Sequence, residues 1–254
     1  NNPRVSFYDL KTNKLSYYQS FSEEIKKEMK KLIYKNYKKK EFNLINIPHI
    51  SLTELKNKYK FKKITNQKKN ILYFASPLNS QVDSKFGIHN EFKILNLRKI
   101  FFSKIKDFNI NLRLGYSSKI NDMYAEYVKN NFKNINIVSN EIPLYKALEN
   151  ADIIVCESNS TTIIESLITK KPIICFQKTY PNFTKQSLRH LEKRILFLNT
   201  TKQIISFINN FDSMHLKQLN KKNINNNFLE KFYNYKNLKN SIFIKNIKKF
   251  LVKN

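Results

Sequence analysis

The sequence predicts an α/β fold with a doubly wound parallel sheet and helical flanking segments. Short apolar runs of strand length alternate with longer stretches in which apolar residues recur at helical spacing. This alternation repeats four or five times in a row from Asn70 onward, whereas the two flanks of the chain lack it. Consecutive strand and helix units of this kind are typical of a parallel sheet wrapped by helices.

The predicted elements of this central region follow one another as strand and helix. The first strand is the apolar run NILYFA, and the polar loop 76–87 separates it from the first helix. The predicted strands are residues 70–75, 110–114, 135–138, 152–156 and 172–176, and the predicted helices are residues 88–106, 122–132, 142–149 and 161–169.

The flanks predict helices that do not belong to the sheet. Residues 22–37 form the first of them, with Ser22 as N-cap and two glutamates in the first turn. Two more are predicted at 202–210 and 227–251. The last helix carries an apolar stripe of Ile242, Phe243, Ile247 and Phe250. That stripe fits core packing, and a helix lying on a membrane surface is the second interpretation.

The composition limits the class of protein. A chain of 254 residues is long enough for a hydrophobic core in one large or two small domains. The formal net charge of +28 raises nucleic acid as a partner. The charge is mostly lysine, however, and is spread along the whole chain among Asn and Ile. We interpret it as compositional charge on solvated faces, with contact to anionic lipid or an acidic acceptor as the functional alternative.

The cysteines and the lengths of the apolar runs indicate the cellular compartment of the protein. Cys156 and Cys175 fall in predicted buried strands, so we expect core residues in a reducing cytoplasm. No run is apolar for long enough to span a bilayer, and no signal-peptide pattern opens the chain. The start at Asn1 without a methionine suggests a piece of a longer protein.

The four histidines are scattered along the chain and include no pair at metal-ligand spacing. We therefore expect no metal site and no bound cofactor. His89 follows the polar loop after the first strand and is a candidate for contact with a ligand.

A cluster of hydroxyl residues lies between two predicted strands. Ser158, Ser160, Thr161 and Thr162 follow the strand 152–156, where ligands bind in open α/β sheets, and they open a helix whose first N–H groups suit a phosphate. Glu165 shares the face of Thr161 four residues later, where a carboxylate is able to accept bonds from ribose hydroxyls. A purely structural interpretation stays open, in which Ser160 or Thr161 caps the helix and Glu165 is a solvated helix residue.

The run ENADIIVCESNSTTIIESLITKKPIICF, residues 149–176, resembles the donor-site segment of GT-B glycosyltransferases, especially bacterial transferases of capsule and other surface carbohydrates. In that family an Asp at a strand start leads to a Ser/Thr cluster, a Glu, then Lys-Pro and a strand. The order of elements from Asn70 resembles the Rossmann-like C-terminal half of that fold. The resemblance implies that Ser158, Ser160, Thr161 and Thr162 hold the donor phosphates and that Glu165 binds the ribose.

Further stretches fit the same family. SPLNSQVDS, residues 76–84, resembles a loop that faces the cleft between domains, and LRLGYS places Arg113 where relatives carry an Arg that contacts donor phosphate. The His-Pro that commonly follows this Arg is absent here. The segment from Asn140 to Leu144, which opens the next predicted helix, lies where the family commonly cradles the base with backbone groups, and Asn140 and Ile142 are its candidate site residues. The catalytic base usually comes from the N-terminal domain, so the catalytic residues stay unknown.

The resemblance also predicts the organisation of the chain. Residues 1–66 are expected to be a helical remnant or linker of an N-terminal acceptor domain, residues 67–212 the domain that binds the donor nucleotide, and residues 213–254 helices that pack back on that domain.

The function predicted is a metal-independent glycosyltransferase that moves a sugar from a nucleotide-sugar donor to a growing surface polysaccharide or lipid-linked glycan. We expect it in the cytoplasm, with peripheral contact at the inner membrane face and no specific nucleic-acid partner. A CDP-polyol phosphotransferase is the enzyme alternative, because such transferases share a similar hydroxyl motif. A sugar-nucleotide 2-epimerase shares the fold, but its glycine-bearing motif is missing. A basic nucleic-acid-binding domain with aromatic residues for stacking is the non-enzyme alternative.

Overall fold

The computed structural model describes residues 17–20, 27, 30–31, 43–46, 50–61, 69–76, 78, 91–115, 119–158, 160–176, 185–211 and 227–233. The chain divides into two compact units. One unit comprises Asn1–Asn57 with Asn226–Asn254, and the other comprises Lys58–Asn225.

The larger unit is built on a six-stranded sheet in which every neighbouring pair is parallel. Its strands are β3 (Asn70–Phe74), β4 (Asn109–Arg113), β5 (Ile135–Ile137), β6 (Ile153–Cys156), β7 (Ile173–Cys175) and β8 (Leu196–Phe197). The spatial order is β5-β4-β3-β6-β7-β8. This order confirms the predicted α/β fold with a doubly wound, Rossmann-like parallel sheet.

The strand order reverses between β3 and β6. From β3 the chain winds outward through β4 to β5, then returns to place β6 on the other side of β3 and winds outward again. Loops after β3 and β6 therefore leave the sheet in different directions, and a crevice forms at the carboxyl ends of these two strands. Ligands of doubly wound proteins bind in that crevice.

Helices connect the strands much as the sequence predicts. The helices of this unit are α2 (Glu91–Lys104), α3 (Lys119–Asn131), α4 (Leu144–Glu149), α5 (Thr161–Ser166), α6 (Lys185–Glu192) and α7 (Thr201–Asn209). Thr200 and Gln203 form a reciprocal capping box that starts α7. The predicted elements include neither α6 nor the two-residue strand β8, although β8 lies in the apolar run ILFL, residues 195–198.

The core lies on both faces of the sheet. Ile71 and Tyr73 of β3 are buried in a cluster that includes Phe101 and Phe102 of α2, and Leu72, which points to the opposite face, is also buried. Tyr73 packs its ring 5.2 Å from Phe101 and 5.3 Å from Phe102 between ring centroids. Strands buried on both faces read as continuous apolar runs, which is why they were visible in the sequence.

The smaller unit contains a parallel pair of short strands, β1 (Tyr17–Ser20) and β2 (Asn43–Asn46). The helix α1 (Ile50–Lys58) follows β2, and α8 (Asn227–Tyr233) lies near the other end of the chain. Residues 1–66 were expected to be a helical remnant or linker, and neither strand was predicted, since four residues such as YYQS carry too little pattern to be recognised.

Two predicted helices in the flanks are described only in part. Of residues 22–37, the structure describes Lys27, Lys30 and Lys31, which are helical. Of residues 227–251, it describes α8. The apolar stripe from Ile242 to Phe250 lies outside the described residues. Among the helices that are described, none is long and apolar enough to cross a membrane.

Candidate functional site

The predicted site residues gather at the carboxyl edge of the sheet. Arg113 is the last residue of β4, and Glu157 follows the last residue of β6. Because all six strands are parallel, these ends lie on the same edge. The loop after β6 then leads through Ser158 and Ser160 into α5. The hydroxyl cluster is therefore located beside the crevice at which the strand order reverses.

Arg113 is half-buried and joins three of the predicted site residues. Its Nη1 donates to the Ile142 carbonyl at 3.0 Å, and its Nη2 donates to the Asn140 carbonyl at 3.3 Å. Burial lowers the pKa of the Arg113 guanidinium, and the carboxylate of Glu165 acts in the opposite direction. Arg113, Asn140, Ile142 and Glu165 thus belong to one neighbourhood, although 52 positions (165 − 113) separate the first from the last.

Glu165 is not the solvated helix residue of the structural interpretation. It is half-buried on α5, and burial raises the pKa of its carboxyl group, while the positive charge of Arg113 partly offsets that rise. Arg113 donates its hydrogen bonds to the two carbonyls, and within the described part of the chain no donor is bonded to the Glu165 carboxylate. A half-buried carboxylate beside an arginine is therefore placed to accept hydrogen bonds from a ligand.

The hydroxyl cluster surrounds the start of α5. Ser160 is the N-cap residue and has an extended backbone, but its side chain makes no capping hydrogen bond. Ser158, Ser160 and Thr162 are half-buried, and Thr161 is exposed. The backbone of Thr162 also accepts a hydrogen bond of 2.7 Å from the Ser166 hydroxyl. The Ser160 hydroxyl is consequently not committed to the helix, unlike that of a typical N-cap serine.

The segment proposed to cradle a base is held by internal contacts. Besides the bonds from Arg113, the Asn140 side chain donates to the Gly115 carbonyl at 3.1 Å, and the Ile142 N–H donates to the Ser139 carbonyl at 3.2 Å. The Ile142 side chain is 40% exposed. Each carbonyl keeps a second lone pair for a ligand. The segment therefore presents a fixed backbone and an apolar side chain next to Arg113.

A buried ion pair beside this site was not predicted. The Arg98 Nε donates to Glu157 Oε1 at 2.6 Å, and the Arg98 Nη2 donates to Glu157 Oε2 at 2.8 Å. Arg98 is 0% exposed and Glu157 is 7% exposed. The Tyr73 hydroxyl donates to Oε1 at 2.7 Å, and the Ser76 N–H donates to Oε2 at 2.6 Å. Glu157 therefore accepts four hydrogen bonds, and these bonds link α2, β3 and both loops of the crevice.

The surroundings of Arg98 and Tyr73 explain the protonation of these two groups. Burial alone would lower the pKa of Arg98, but the neighbouring carboxylate of Glu157 raises it above the ordinary value. Burial and the same carboxylate raise the pKa of Tyr73. A cavity of about 30 Å³, lined by residues that include Tyr73, Glu157 and Phe176, lies against the pair. Arg98 thus keeps its positive charge, and Tyr73 remains a neutral donor.

The sequence does contain a signal for this pair. Arg98 lies at four-residue spacing from Ile94 and Phe102, which are both buried on α2, and Glu157 directly continues the buried run of β6. A charged residue at each of two buried positions is expected to find the other, because an unpaired buried charge is strongly unfavourable.

That the protein needs no metal ion stays a prediction. Among the described residues, no group of three His, Cys, Asp or Glu side chains is arranged to hold a metal ion. His190 lies on α6, and His49, His89 and His215 lie outside the described residues. Cys156 and Cys175 are buried free thiols, as the sequence predicted, and burial raises the pKa of Cys156.

The sheet, its order and its polar carboxyl edge define a Rossmann-like domain of the kind found in GT-B transferases. The family model described as LIC12162 family transferase matches residues 34–195. That match spans more than half of the chain, so the chain belongs to this family of transferases. No curated protein matches the sequence closely enough to count as a relative.

Solved structures share the fold at low sequence identity. TarM is 15% identical with a TM-score of 0.53, over 93% of this chain and 45% of TarM. The pneumococcal O-GlcNAc transferase GtfA, in complex with UDP and GlcNAc, is 11% identical with a TM-score of 0.49, over 100% of this chain and 48% of GtfA. The wall teichoic acid polymerase TagF is 16% identical with a TM-score of 0.47, over 93% of this chain and 58% of TagF. The chain spans about half the length of these structures. The fold comparison rests on TarM, because its TM-score is above 0.5.

Proposed function

We propose that this protein is a glycosyltransferase that binds the nucleotide part of an activated sugar donor at the carboxyl edge of its sheet. The observation that carries the proposal is that the positive charge of Arg113 acts on the half-buried carboxylate of Glu165 beside the hydroxyl cluster that opens α5. Membership of a transferase family and the Rossmann-like fold support it. Positive charge and hydroxyl donors are complementary to the phosphate groups of such a donor, and a carboxylate is complementary to its ribose hydroxyls.

Each part of the site has a proposed role. Ser158, Ser160, Thr161 and Thr162 donate hydrogen bonds to the donor phosphates, and Arg113 adds positive charge to which the phosphate is attracted. Glu165 accepts hydrogen bonds from the ribose hydroxyls. Asn140 and Ile142 lie where the base would rest. Arg113 then supplies the positive charge, and the proposal includes no metal ion and no cofactor.

The proposed acceptor is a growing surface polysaccharide or a lipid-linked glycan. We place the reaction in the cytoplasm, where nucleotide-activated donors are used, with peripheral contact of the protein at the inner membrane face. The lysine-rich composition supports contact with an anionic surface. No sequence-specific nucleic-acid partner is part of this proposal.

The test is a panel of nucleotides measured by thermal shift and by isothermal titration. UDP, CDP, CMP and GDP are each added to the protein, and a ligand present at about 1,000 times its Kd should raise the stability by about 4 kcal/mol. We expect one nucleoside diphosphate to bind more tightly than its nucleoside, since the phosphate contacts are lost in the latter. Absence of binding by every nucleotide in the panel would overturn the proposal.

The preferred nucleotide, followed by a transfer assay, distinguishes a glycosyltransferase from a CDP-polyol phosphotransferase. Preference for CDP, followed by transfer of a polyol phosphate from a CDP-polyol and not of a sugar, would identify a CDP-polyol phosphotransferase. Transfer of a sugar from the preferred nucleotide-sugar to a glycan acceptor would support the glycosyltransferase.

A further inference from the structure

The Arg98–Glu157 pair lies directly against the proposed nucleotide site. Glu157 is the residue before Ser158, so its position sets where the hydroxyl loop begins. Its backbone N–H donates to the Phe74 carbonyl at 3.2 Å, which extends the pairing of β6 with β3 by one residue beyond the strands. The hydroxyl loop therefore leaves the sheet from a residue that is fixed by both its backbone and its side chain.

The same pair holds the loop on the other side of the crevice. Arg98 Nη2 donates to the Ser76 carbonyl at 2.6 Å, and the Ser76 N–H donates to Glu157. The Leu78 N–H donates to Asn121 Oδ1 on α3 at 3.3 Å. The beginning of the loop after β3 is thus tied to the beginning of the loop after β6 through one carboxylate and one guanidinium.

Net stability is a poor explanation for such a pair. Two charges buried this completely lose their hydration, and apolar residues of the same volume would often stabilise a core equally well. A guanidinium that donates to both carboxylate oxygens instead fixes the distance and the orientation between the two side chains, because its donors form a rigid fork. The pair is buried at the carboxyl ends of β3 and β6 and connects the elements that follow them.

We propose that Arg98 and Glu157 are positioning residues of the nucleotide site, which fix Ser158 and the start of α5 so that the hydroxyl cluster meets the donor phosphates. The inference rests on the proposed function, since it assigns the pair to the phosphate end of that site. Neither residue contacts the nucleotide. Both act by fixing the loop on which the phosphate-binding groups are carried.

The test compares Arg98→Met and Glu157→Gln with a matched control. Arg194 is also a buried arginine, 1% exposed, and its Nη2 donates to the Thr169 carbonyl at 2.7 Å and the Lys171 carbonyl at 2.8 Å. Those carbonyls precede β7, at the opposite edge of the sheet. Arg194→Met therefore removes a comparable buried cation far from the nucleotide site. For each variant, a thermal melt is paired with titration of the best-binding nucleoside diphosphate and of its nucleoside.

We expect Arg98→Met to weaken binding of the nucleoside diphosphate by about tenfold or more, because a displacement of the binding groups by about 1 Å is costly. Binding of the nucleoside should change much less. Arg194→Met should lower the melting temperature and leave both dissociation constants of the folded protein unchanged. Glu157→Gln keeps the shape of the side chain and should show the same selective loss, and Arg98→Lys should restore only part of the affinity because it lacks the fork.

Unchanged diphosphate affinity in Arg98→Lys and Glu157→Gln, with only a lower melting temperature, would overturn the inference and leave the proposed function intact. An equal loss for nucleoside and diphosphate would also overturn it. If Arg98→Met does not fold, the two milder variants decide the question. A parent protein that binds no nucleotide would overturn the proposed function, and this inference with it.

Discussion

Replacing Glu165 with Gln should change stability and ligand binding in opposite directions. The substitution keeps the size of the side chain and removes its charge. Burial raises the pKa of Glu165 above its unfolded value of 4.5, so folding favours the protonated form. Below pH 4.5 the resulting stabilisation is fully present, and it is lost as the pH rises through the folded pKa. At pH 7 the ionised carboxylate is therefore a net cost, and the Gln variant should melt at a higher temperature than the parent.

The affinity of Glu165→Gln for the nucleotide should fall. In the described part of the chain no donor is bonded to the Glu165 carboxylate, so its oxygens are available to the ribose of a donor. A hydrogen bond to a charged group contributes about 1.5–3 kcal/mol. The dissociation constant of the best-binding nucleotide should consequently rise by about 10- to 150-fold.

The assay is isothermal titration and a thermal melt on the same samples, at pH 7 and again near pH 5. Glu126→Gln on α3 is the control, because it makes the same change of net charge at an exposed position. The gain in melting temperature of Glu165→Gln over the parent should shrink as the pH falls. Unchanged nucleotide affinity together with a lower melting temperature would refute the argument and make Glu165 a structural residue.

The remaining predictions concern the hydroxyl cluster, a buried lysine and the C-terminal segment. Replacing Thr161 and Thr162 with Val should weaken binding of a nucleoside diphosphate far more than of its nucleoside in titrations, since the hydroxyls are proposed to act on phosphate; equal losses would contradict this. Burial lowers the pKa of Lys171 from 10.5 to about 8, so between these values the unfolded chain binds more protons and stability should rise with pH. Denaturant unfolding from pH 8 to 10 should show this rise relative to Lys171→Arg, which stays charged, and a constant difference would speak against it. Deleting residues 240–254 should reduce sedimentation with anionic vesicles if their apolar stripe lies on a membrane; unchanged sedimentation would assign the stripe to packing.

Much of the fold is visible in the sequence because its signals are local. Strands such as β6 (IIVC) are buried on both faces and form unbroken apolar runs, and the helices between them show their own spacing. The helix α6 (KQSLRHLE) was missed because most of its residues are polar, so the few that it buries form no clear apolar pattern. The strand β8 was also missed, although the two residues that it pairs with β7 lie in the apolar run ILFL at 195–198.

In the candidate site, too, some associations are local in the chain and others are made only by the fold. The hydroxyl cluster and Glu165 lie within eight residues of one another, from Ser158 to Glu165, so their association was readable along the chain. The contact of Arg113 with the carbonyls of Asn140 and Ile142 joins residues 27 and 29 positions apart. The resemblance suggested both stretches for the same site, but only the fold determines that the guanidinium binds backbone carbonyls.

By itself the sequence determined the alternation of strands and helices and the position of the hydroxyl cluster after a strand, because both depend on residues close together in the chain. Only the tertiary structure decided that β3 lies between β4 and β6, and that Glu157 meets Arg98 from 59 residues away. Strand order depends on which apolar edges pair after the chain collapses, and many orders satisfy the same local pattern. A buried charge is likewise compatible with any partner that the fold brings within reach, and here the crossover from β3 through α2 brings Arg98 beneath the end of β6.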